Sequence, residues 1–520
     1  MKHLKKILSI LIVTSFIYSC SSSDAPENPE ETQEPTTSKV TITTGTNIVT
    51  EPSMNGSFKL TLTKVSSSST KVDFTIIGTA TNGEDYETVA NSITIPANTL
   101  STTIPITVLE DDVSEDNETI IVTLTGTNNA DVVLGSTKTA TITISSNTEV
   151  FVLNPNDTTN YMVNPNATDE TVALFYNLKI LSKDSFIIGQ QDAFNAFYDN
   201  NIGDSDIKKT TGNDPGLLGS DFMFIADDNN NGQASNWFYQ QEQIITGDAI
   251  EAYDKGMVNA FCWHFREPYS GDEFYSSNID PTDLNNAFAS ILPDGENHDY
   301  YIEKLDKIAD VTSNMIGGDG KKVPIIFRPF HEFDGSWFWW GAAYCTPEQY
   351  IELWQFTVEY LRDTKGVNNM LFAYSPDNNF SSENSYLDRY PGDAYVDILS
   401  MDNYGDFSNQ GTTGVNNANN KLKILSDLAE EKVKIAALTE TGYRITSGTS
   451  PISGFFATNM YNAITQNDNK IAFMMFWNNN EDGYYTPPPN QPDTNDFIDF
   501  ANKPKSVLQN NLPDMYTLPN

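Results

Sequence analysis

Cysteine, histidine and basic residues are scarce in this chain. Its 520 residues include three cysteines and four histidines, and 30 Lys and Arg residues stand against 70 Asp and Glu residues, which gives a formal net charge of −40. Three cysteines are too few for a disulfide framework in a protein of this length. The negative charge excludes electrostatic binding of nucleic acid or of anionic membrane surfaces, whereas a neutral polysaccharide is compatible with it. Two nucleotide-binding motifs, G-x-G-x-x-G after a strand and the Walker sequence, are also missing.

The N-terminus has the pattern of a targeting segment. Lysines among the first six residues precede the apolar run Ile7–Tyr18, which is too short to span a bilayer comfortably. The run leads into Ser19-Cys20 and resembles a bacterial lipoprotein box. The resemblance implies a signal peptide over residues 1–20 and lipidation of Cys20. The alternative is an ordinary secretory signal with an incidental cysteine.

Residues 21–38 are rich in serine, proline and acidic residues, and we expect them to form a flexible tether. With a lipid on Cys20, the protein would be an outer-membrane or cell-surface lipoprotein of a bacterium. The lipid would then be its only attachment to a membrane. A secreted or periplasmic protein is the alternative.

Residues 39–147 alternate between apolar and polar side chains. The clearest segments are Leu60–Thr63, Val72–Ile76, Ile120–Leu124 and Thr141–Ile144. Threonine-rich strands with a period of two predict an all-β sandwich of about 100 residues.

Four segments of this region carry a family signature. Gly83–Tyr86, Ile93–Ala97, Val108–Asp112 and Glu115–Thr119 resemble a Calx-beta domain. The resemblance implies that one end of the sandwich can hold structural calcium, and the oxygen ligands would come from Glu51, Asp85, Asp111, Asp112 and Glu115. The alternative is that these acidic loops are simply solvated. Exposed aromatic candidates are scarce, which favours a spacer over a carbohydrate-binding module.

Residues 150–520 alternate short apolar strands with segments long enough for helices. The predicted strands are Ser185–Asp192, Ser220–Asp227, Val258–Arg266, Val323–His331, Asn369–Asp377, Tyr395–Tyr404, Val433–Glu440 and Lys470–Asn478. Clear crossover helices are Pro347–Leu361 and Asn419–Glu431. This alternation predicts an α/β fold, the (β/α)8 TIM barrel, as the second domain of a multidomain chain. In that fold the chemistry takes place at the C-terminal ends of the strands.

Charged residues follow two of these predicted strands. The run Arg328–Gly341 follows the apolar residues 323–327 of the fourth strand and includes His331, Glu332 and tryptophans, and Glu440 follows residues 434–439 of the seventh strand. A zinc motif H-E-x-x-H is excluded because Gly335 stands at its fifth position. Core packing alone is another interpretation, but it would bury charges that have no evident role. Two carboxylates at the ends of apolar strands are the groups that glycosidic cleavage requires.

The run Arg328–Gly341 resembles the acid/base motif of glycoside hydrolase family 26, and Glu440-Thr441-Gly442 resembles its nucleophile motif. This resemblance implies a retaining mechanism in which Glu332 is the general acid/base and Glu440 the nucleophile. It also implies roles for residues around the two glutamates. Arg328 and His331 would orient the carboxylates, Trp337 would be an aromatic floor near the cleaved bond, Tyr404 of the pair Asp402 and Tyr404 would bind the nucleophile, and His264 and Trp477 would contact the −1 sugar.

The resemblance implies an enzyme that cleaves internal β-1,4-mannosidic bonds of mannan or galactomannan, without a cofactor or a catalytic metal. The same residues could serve a lichenase, a β-1,3-xylanase or a mannobiohydrolase. Outside the enzyme class, the alternative is a surface glycan-binding lipoprotein that has lost its chemistry. The presence of Glu332 and Glu440 favours the enzyme.

Overall fold

The structure, a computed structural model, describes residues 37–46, 48–50, 55–109, 117–145 and 153–519. The chain divides into two compact units, Met1–Val152 and Leu153–Asn520. The predicted signal peptide, Cys20 and nearly all of the tether lie outside the described residues. Within the described part, none of the helices combines the length and the apolar character needed to cross a membrane.

The N-terminal unit consists of two β-sheets. One sheet has the strand order β6-β3-β1-β8 and the other has the order β2-β9-β7-β4-β5. The strands are β1 (Ser38–Thr44), β2 (Ile48–Thr50), β3 (Gly56–Leu62), β4 (Thr70–Gly78), β5 (Ser92–Ile95), β6 (Ser101–Ile106), β7 (Glu118–Thr127), β8 (Val132–Leu134) and β9 (Thr139–Ser145). Alternate residues such as Ile120, Val122 and Leu124 of β7 are buried in a core that both sheets share. This arrangement is the predicted all-β sandwich.

Of the predicted calcium ligands, only Asp85 belongs to the described residues. Its carboxylate accepts the backbone N–H of Thr81 at 2.5 Å. Glu51, Asp111, Asp112 and Glu115 lie outside the described part of the chain. Calcium binding therefore stays a prediction.

The C-terminal unit contains a closed parallel barrel in the order β10-β11-β12-β13-β14-β15-β16-β18, and β10 pairs with β11 to close it. Its strands are β10 (Phe186–Gln191), β11 (Leu217–Asp221), β12 (Val258–Cys262), β13 (Ile325–Arg328), β14 (Met370–Tyr374), β15 (Ile398–Asn403), β16 (Ile435–Thr441) and β18 (Phe473–Phe476). Outside the barrel, β17 (Ile445–Thr446) pairs with β19 (Gly483–Tyr484), and β20 (Ser506–Val507) pairs with β10. The predicted TIM barrel is confirmed.

The helices are α1 (Asp169–Leu181), α2 (Asp206–Thr211), α3 (Trp237–Asp254), α4 (Pro281–Ile291), α5 (His298–Asn314), α6 (Pro347–Glu359), α7 (Glu383–Tyr386), α8 (Gly411–Glu431), α9 (Tyr461–Thr465) and α10 (Thr494–Ala501). The sequence of helix α6 accounts for where the helix begins and which face it buries. Thr346 and Gln349 form a reciprocal capping box around Pro347, and the face with Leu353 and Trp354 is buried. One turn of π-helix, Tyr360–Thr364, continues it past the predicted end.

The N-terminal ends of the barrel strands are filled by apolar side chains. Leu174 and Phe175 of α1 belong to the same buried cluster as Ile187 of β10, Leu217 of β11 and Ile326 of β13. Packing of this kind closes that end of the barrel. The C-terminal ends of the strands are therefore left to carry polar groups.

Most predicted strand boundaries were wrong by a few residues, and two predicted boundaries differ most from the structure. The second strand was predicted at Ser220–Asp227, but β11 ends at Asp221. The apolar residues Phe222 and Ile225 suggested a longer strand, yet they are buried in a turn that packs on the barrel. Helix α8 begins at Gly411, eight residues before the predicted start, because its first turns are rich in Gly, Thr and Asn and carry a weak helical signal.

Candidate active site

Three carboxylates meet at the C-terminal ends of the barrel strands. Glu332 follows β13, Asp402 lies in β15 and Glu440 lies in β16. One carboxylate oxygen from each of the three lies within 4.8 Å of the other two. The two glutamates that the sequence singled out, 108 positions apart in the chain, are therefore neighbours at a single site.

Arg328, the last residue of β13, joins two of these carboxylates. Its Nη1 donates to Oδ2 of Asp402 at 2.5 Å, and its Nη2 donates to Oε1 of Glu440. All three side chains are almost completely buried. A guanidinium presents its donors in a rigid fork, so it fixes the two acceptors relative to each other as well as compensating their charge.

The remaining oxygens of this pair are also bound. Oε2 of Glu440 accepts the hydroxyl of Tyr404 at 3.1 Å. Oδ1 of Asp402 accepts hydroxyls of Ser375 at 3.1 Å and of Thr439 at 2.8 Å. The register between β15 and β16 shifts at this point, so that Asp402 lies opposite Glu440 and Thr439 is passed over. Such an irregularity turns side chains in a strand toward a new direction.

Glu332 is held in a different way. Its backbone φ is +54°, and that of Phe330 is +51°, in the left-handed region that non-glycine residues seldom adopt. The N–H of Glu332 donates to the carbonyl of Ser375 at 2.9 Å, and the indole N–H of Trp337 donates to its Oε2 at 2.5 Å. A backbone of this kind costs about 1–3 kcal/mol per residue and persists because the surrounding structure imposes it. Here the imposing contacts include Phe330, which is fully packed in the core.

The electrostatics separate Glu332 from Glu440. Burial raises the pKa of Glu332 well above its usual range, and the charges of Asp402, Glu440 and Asp377 raise it further. Among the described residues, no Lys or Arg forms an ion pair with Glu332. Glu440, by contrast, receives hydrogen bonds from a guanidinium and a phenol. The site therefore favours a protonated Glu332 and surrounds Glu440 with hydrogen-bond donors.

His264 is oriented by Asp221, a residue that the sequence analysis missed. Nδ1 of His264 lies 2.6 Å from Oδ2 of Asp221, and its backbone N–H donates to Oδ1 at 3.1 Å. Burial opposes protonation of the imidazole, but the charge and hydrogen bond of Asp221 outweigh it and raise the pKa of His264. The contact occupies Nδ1 and fixes the orientation of the ring. A correct end for β11 would have placed Asp221 at a strand terminus.

His331 lies beside His264, with ring centroids 4.7 Å apart, and is enclosed by Phe338 and Trp340. Burial lowers its pKa well below the ordinary value, and the charges of Arg328 and His264 lower it further. His331 is therefore a neutral imidazole. Within the described part of the chain, its ring nitrogens have no hydrogen-bond partner, so its orienting role stays a prediction.

The tryptophans of the run 328–341 divide into two kinds. Trp339 and Trp340 are buried and donate their indole N–H groups to the carbonyls of Phe265 and His331, at 2.7 Å each. Trp337 remains 36% exposed beside Glu332. Trp477, after β18, lies 5.9 Å from His264 between ring centroids. Trp337 and Trp477 thus lie at the site, and their contacts with sugar rings stay predictions.

The chain matches the model of glycosyl hydrolase family 26 over residues 163–482 and that of the Calx-beta domain over residues 34–148. The solved structure of GH26C from a Muricauda species is 62% identical, with a TM-score of 0.71, and the match covers 71% of this chain and 99% of that one. A GH26 β-mannanase from Bacteroides ovatus is 32% identical, with a TM-score of 0.60, over 68% of this chain and 98% of that one.

A curated relative is the mannan endo-1,4-beta-mannosidase of Bifidobacterium adolescentis. It is 33% identical over 358 residues, which are 66% of this chain and 35% of the relative. The match therefore spans little more than a third of that relative's length. The mannan endo-1,4-beta-mannosidase of Bacillus subtilis strain 168 is 27% identical over 285 residues, which are 52% of this chain and 68% of the relative.

Replacing Arg328 with Ala should destabilise the barrel by about 3–5 kcal/mol, because it leaves buried carboxylates without their cation. Burial already raises the pKa of Asp402 well above its usual range, and the charge of Arg328 lowers it. Without Arg328 the pKa of Asp402 would rise further, and a folded-state pKa above the unfolded value means that stability falls as the pH rises. The loss should accordingly be larger at pH 8 than at pH 5. Every tryptophan lies beyond residue 236, so tryptophan fluorescence in denaturant reports on the barrel alone. Exposed Arg444→Ala serves as the control, and an equal loss at both pH values would contradict the argument.

Proposed function

Since the chain belongs to glycosyl hydrolase family 26, we propose that it is an endo-β-1,4-mannanase that hydrolyses mannan and galactomannan with retention of configuration. The observation that carries the proposal is the approach of Glu332 and Glu440, since one carboxylate oxygen of each lies within 4.8 Å of one from the other. Retaining glycosidases place their two carboxyl groups about 5–5.5 Å apart, whereas inverting enzymes need about 6.5–9.5 Å to admit a water molecule. The mannanases from Bacteroides ovatus and Bifidobacterium adolescentis among the relatives support the choice of substrate.

In the first step, Glu440 attacks the anomeric carbon and forms a covalent ester as the glycosidic bond breaks. Glu332 gives its proton to the departing oxygen. Trp337 holds Oε2 of Glu332 through its indole N–H, which leaves Oε1 to carry the proton. Arg328 and Tyr404 hold Glu440 in the orientation of attack.

In the second step, water attacks the anomeric carbon and Glu332 accepts its proton. Glu440 has by then lost its negative charge to the ester, so one of the charges that raise the pKa of Glu332 is gone. Glu332 therefore becomes a better base when a base is needed. Release of the sugar restores the carboxylate of Glu440 and its hydrogen bonds to Arg328 and Tyr404.

Replacing Glu440 with Ala should lower turnover on mannan by several orders of magnitude, because no covalent intermediate can form. Azide should restore cleavage of an aryl β-mannobioside and yield the α-mannobiosyl azide, identified by NMR. Glu352→Ala, an exposed glutamate of α6, is the matched control and should retain full activity. Near-normal turnover in Glu440→Ala, or a β-configured azide, would contradict the assignment.

Asp377 offers a test of how the pKa of Glu332 is set. This residue follows β14, and its backbone N–H donates to Asp334 at 2.6 Å. Removing its negative charge in Asp377→Asn should lower the pKa of Glu332 and move the alkaline limb of kcat/KM to lower pH. Burial raises the pKa of Asp377 itself to about 7, so the shift should be full only above that pH. Exposed Asp363→Asn is the control, and an unmoved alkaline limb would count against this coupling.

The choice among substrates is tested by product analysis. Purified protein on linear mannan and galactomannan should release a ladder of β-1,4-manno-oligosaccharides, as internal cleavage requires. Mannobiose alone from the start would identify a mannobiohydrolase. Release from lichenan or β-1,3-xylan but not from mannan would redirect the proposal to those activities, and binding without reducing-sugar release would leave a glycan-binding protein.

The N-terminus supports a proposed location at the bacterial cell surface, with Cys20 carrying the lipid anchor. Cys20→Ser should then move the expressed protein from the detergent phase to the aqueous phase in Triton X-114 partition. Detergent-phase recovery of Cys20→Ser would contradict lipidation at this residue. Aqueous recovery of the unchanged protein would instead favour an ordinary secretory signal.

A further inference from the structure

Tyr275 is an exposed aromatic residue in the loop that follows β12. Its ring is 45% exposed and stacks on Phe338, with centroids 5.5 Å apart and planes inclined by 27°. Phe338 stacks in turn on Trp340 at 4.5 Å and 21°. The inner two rings of this stack are buried. Tyr275 is therefore the outermost ring of an aromatic column that rises from the core to the surface.

Backbone contacts join Tyr275 to the loop that carries Trp337. Tyr275 and Phe338 form an isolated antiparallel bridge, and the N–H of Ser276 donates to the carbonyl of Trp337 at 2.7 Å. The hydroxyl of Ser276 donates to the carbonyl of Ser336 at 2.7 Å. The two exposed rings, Tyr275 and Trp337, consequently belong to one rigid patch although 62 positions separate them.

The position of Glu332 indicates which sugar unit this patch would contact. Glu332 protonates the departing oxygen in the proposed mechanism, and the indole of Trp337 is bonded to Glu332. Trp477, by contrast, is paired with His264 at the place expected for the sugar that stays on the nucleophile. The patch formed by Tyr275 and Trp337 adjoins Glu332 and therefore faces the sugar unit that departs when the bond is cleaved.

The electrostatic surroundings of Tyr275 agree with a place near the catalytic carboxylates. Burial raises the pKa of Tyr275, and the charges of Glu332 and Glu440 add to it in that order. Tyr485, from the loop after β18, lies 6.0 Å from Tyr404 between ring centroids, and Tyr404 donates its hydroxyl to Glu440.

We propose that Tyr275, together with Trp337, binds the sugar unit on the leaving-group side of the cleaved bond and so determines preference for a saccharide leaving group. The inference rests on the proposed function. The ring of Tyr275 supplies an apolar face for the pyranose, and its hydroxyl can exchange hydrogen bonds with sugar hydroxyls. Because Tyr275 stacks on Phe338 and Ser276 ties its loop to that of Trp337, little side-chain freedom is lost when the sugar binds.

The test compares two substrates that differ only in what departs. In mannotetraose the leaving group is a sugar, whereas in β-mannobiosyl fluoride it is fluoride, which needs neither an acid nor a binding surface. Tyr275→Ala should lower kcat/KM for mannotetraose by about tenfold while the value for the fluoride stays within about twofold. Tyr275→Phe, which keeps the ring, separates stacking from hydrogen bonding. Loss in Tyr275→Ala alone assigns stacking, and loss in both variants assigns the hydroxyl.

Tyr269→Ala is the matched control. Tyr269 lies in the same loop and is 37% exposed, but its hydroxyl donates to Glu296, so its removal should leave both substrates unaffected. An equal fall on both substrates in Tyr275→Ala would show that the residue acts on the site as a whole and would overturn the inference. Unchanged kinetics on both would overturn it too. Failure of the unchanged protein on mannotetraose and on the fluoride would instead reject the proposed function.

Discussion

The buried guanidinium of Arg328 is the interaction on which the site depends. Three carboxylates within 4.8 Å of one another would repel strongly in a medium of low dielectric. Arg328 bonds Asp402 and Glu440 but not Glu332. This asymmetry favours a protonated Glu332, because burial and the negative charges of Asp402 and Glu440 raise its pKa while the cation binds only the other two carboxylates.

Departures from regular backbone structure place the three carboxylates at the site. The register shift in β15 and β16 sets Asp402 opposite Glu440, and positive φ angles at Phe330 and Glu332 turn the chain sharply after β13. Each irregularity is unfavourable by itself. Regular barrel packing around it, including the filled end under α1, supplies the stability that keeps it in place.

Much of this arrangement could be predicted from the sequence because apolar runs that end in charged residues are visible without coordinates. Glu332 and Glu440 were found in this way, and the barrel brought them together. Asp221 was missed because the apolar residues after it imitate a continuing strand, although they are packed in a turn. The sequence analysis did not identify Tyr275, for another reason. Its position comes from a bridge to Phe338, and no local pattern encodes a pairing between two loops.

The aromatic residues of the site form one cluster with buried and exposed members. Trp340 and Phe338 are buried and stack on each other, Tyr275 extends this stack to the surface, and the exposed ring of Trp337 meets Phe338 edge-on. The proposed substrate, a neutral polysaccharide, offers no charge to a protein with a net charge of −40, so its recognition would come from ring faces and hydrogen bonds. Rings anchored in the core can provide those faces with little loss of side-chain freedom on binding, which links the packing of the barrel to its choice of ligand.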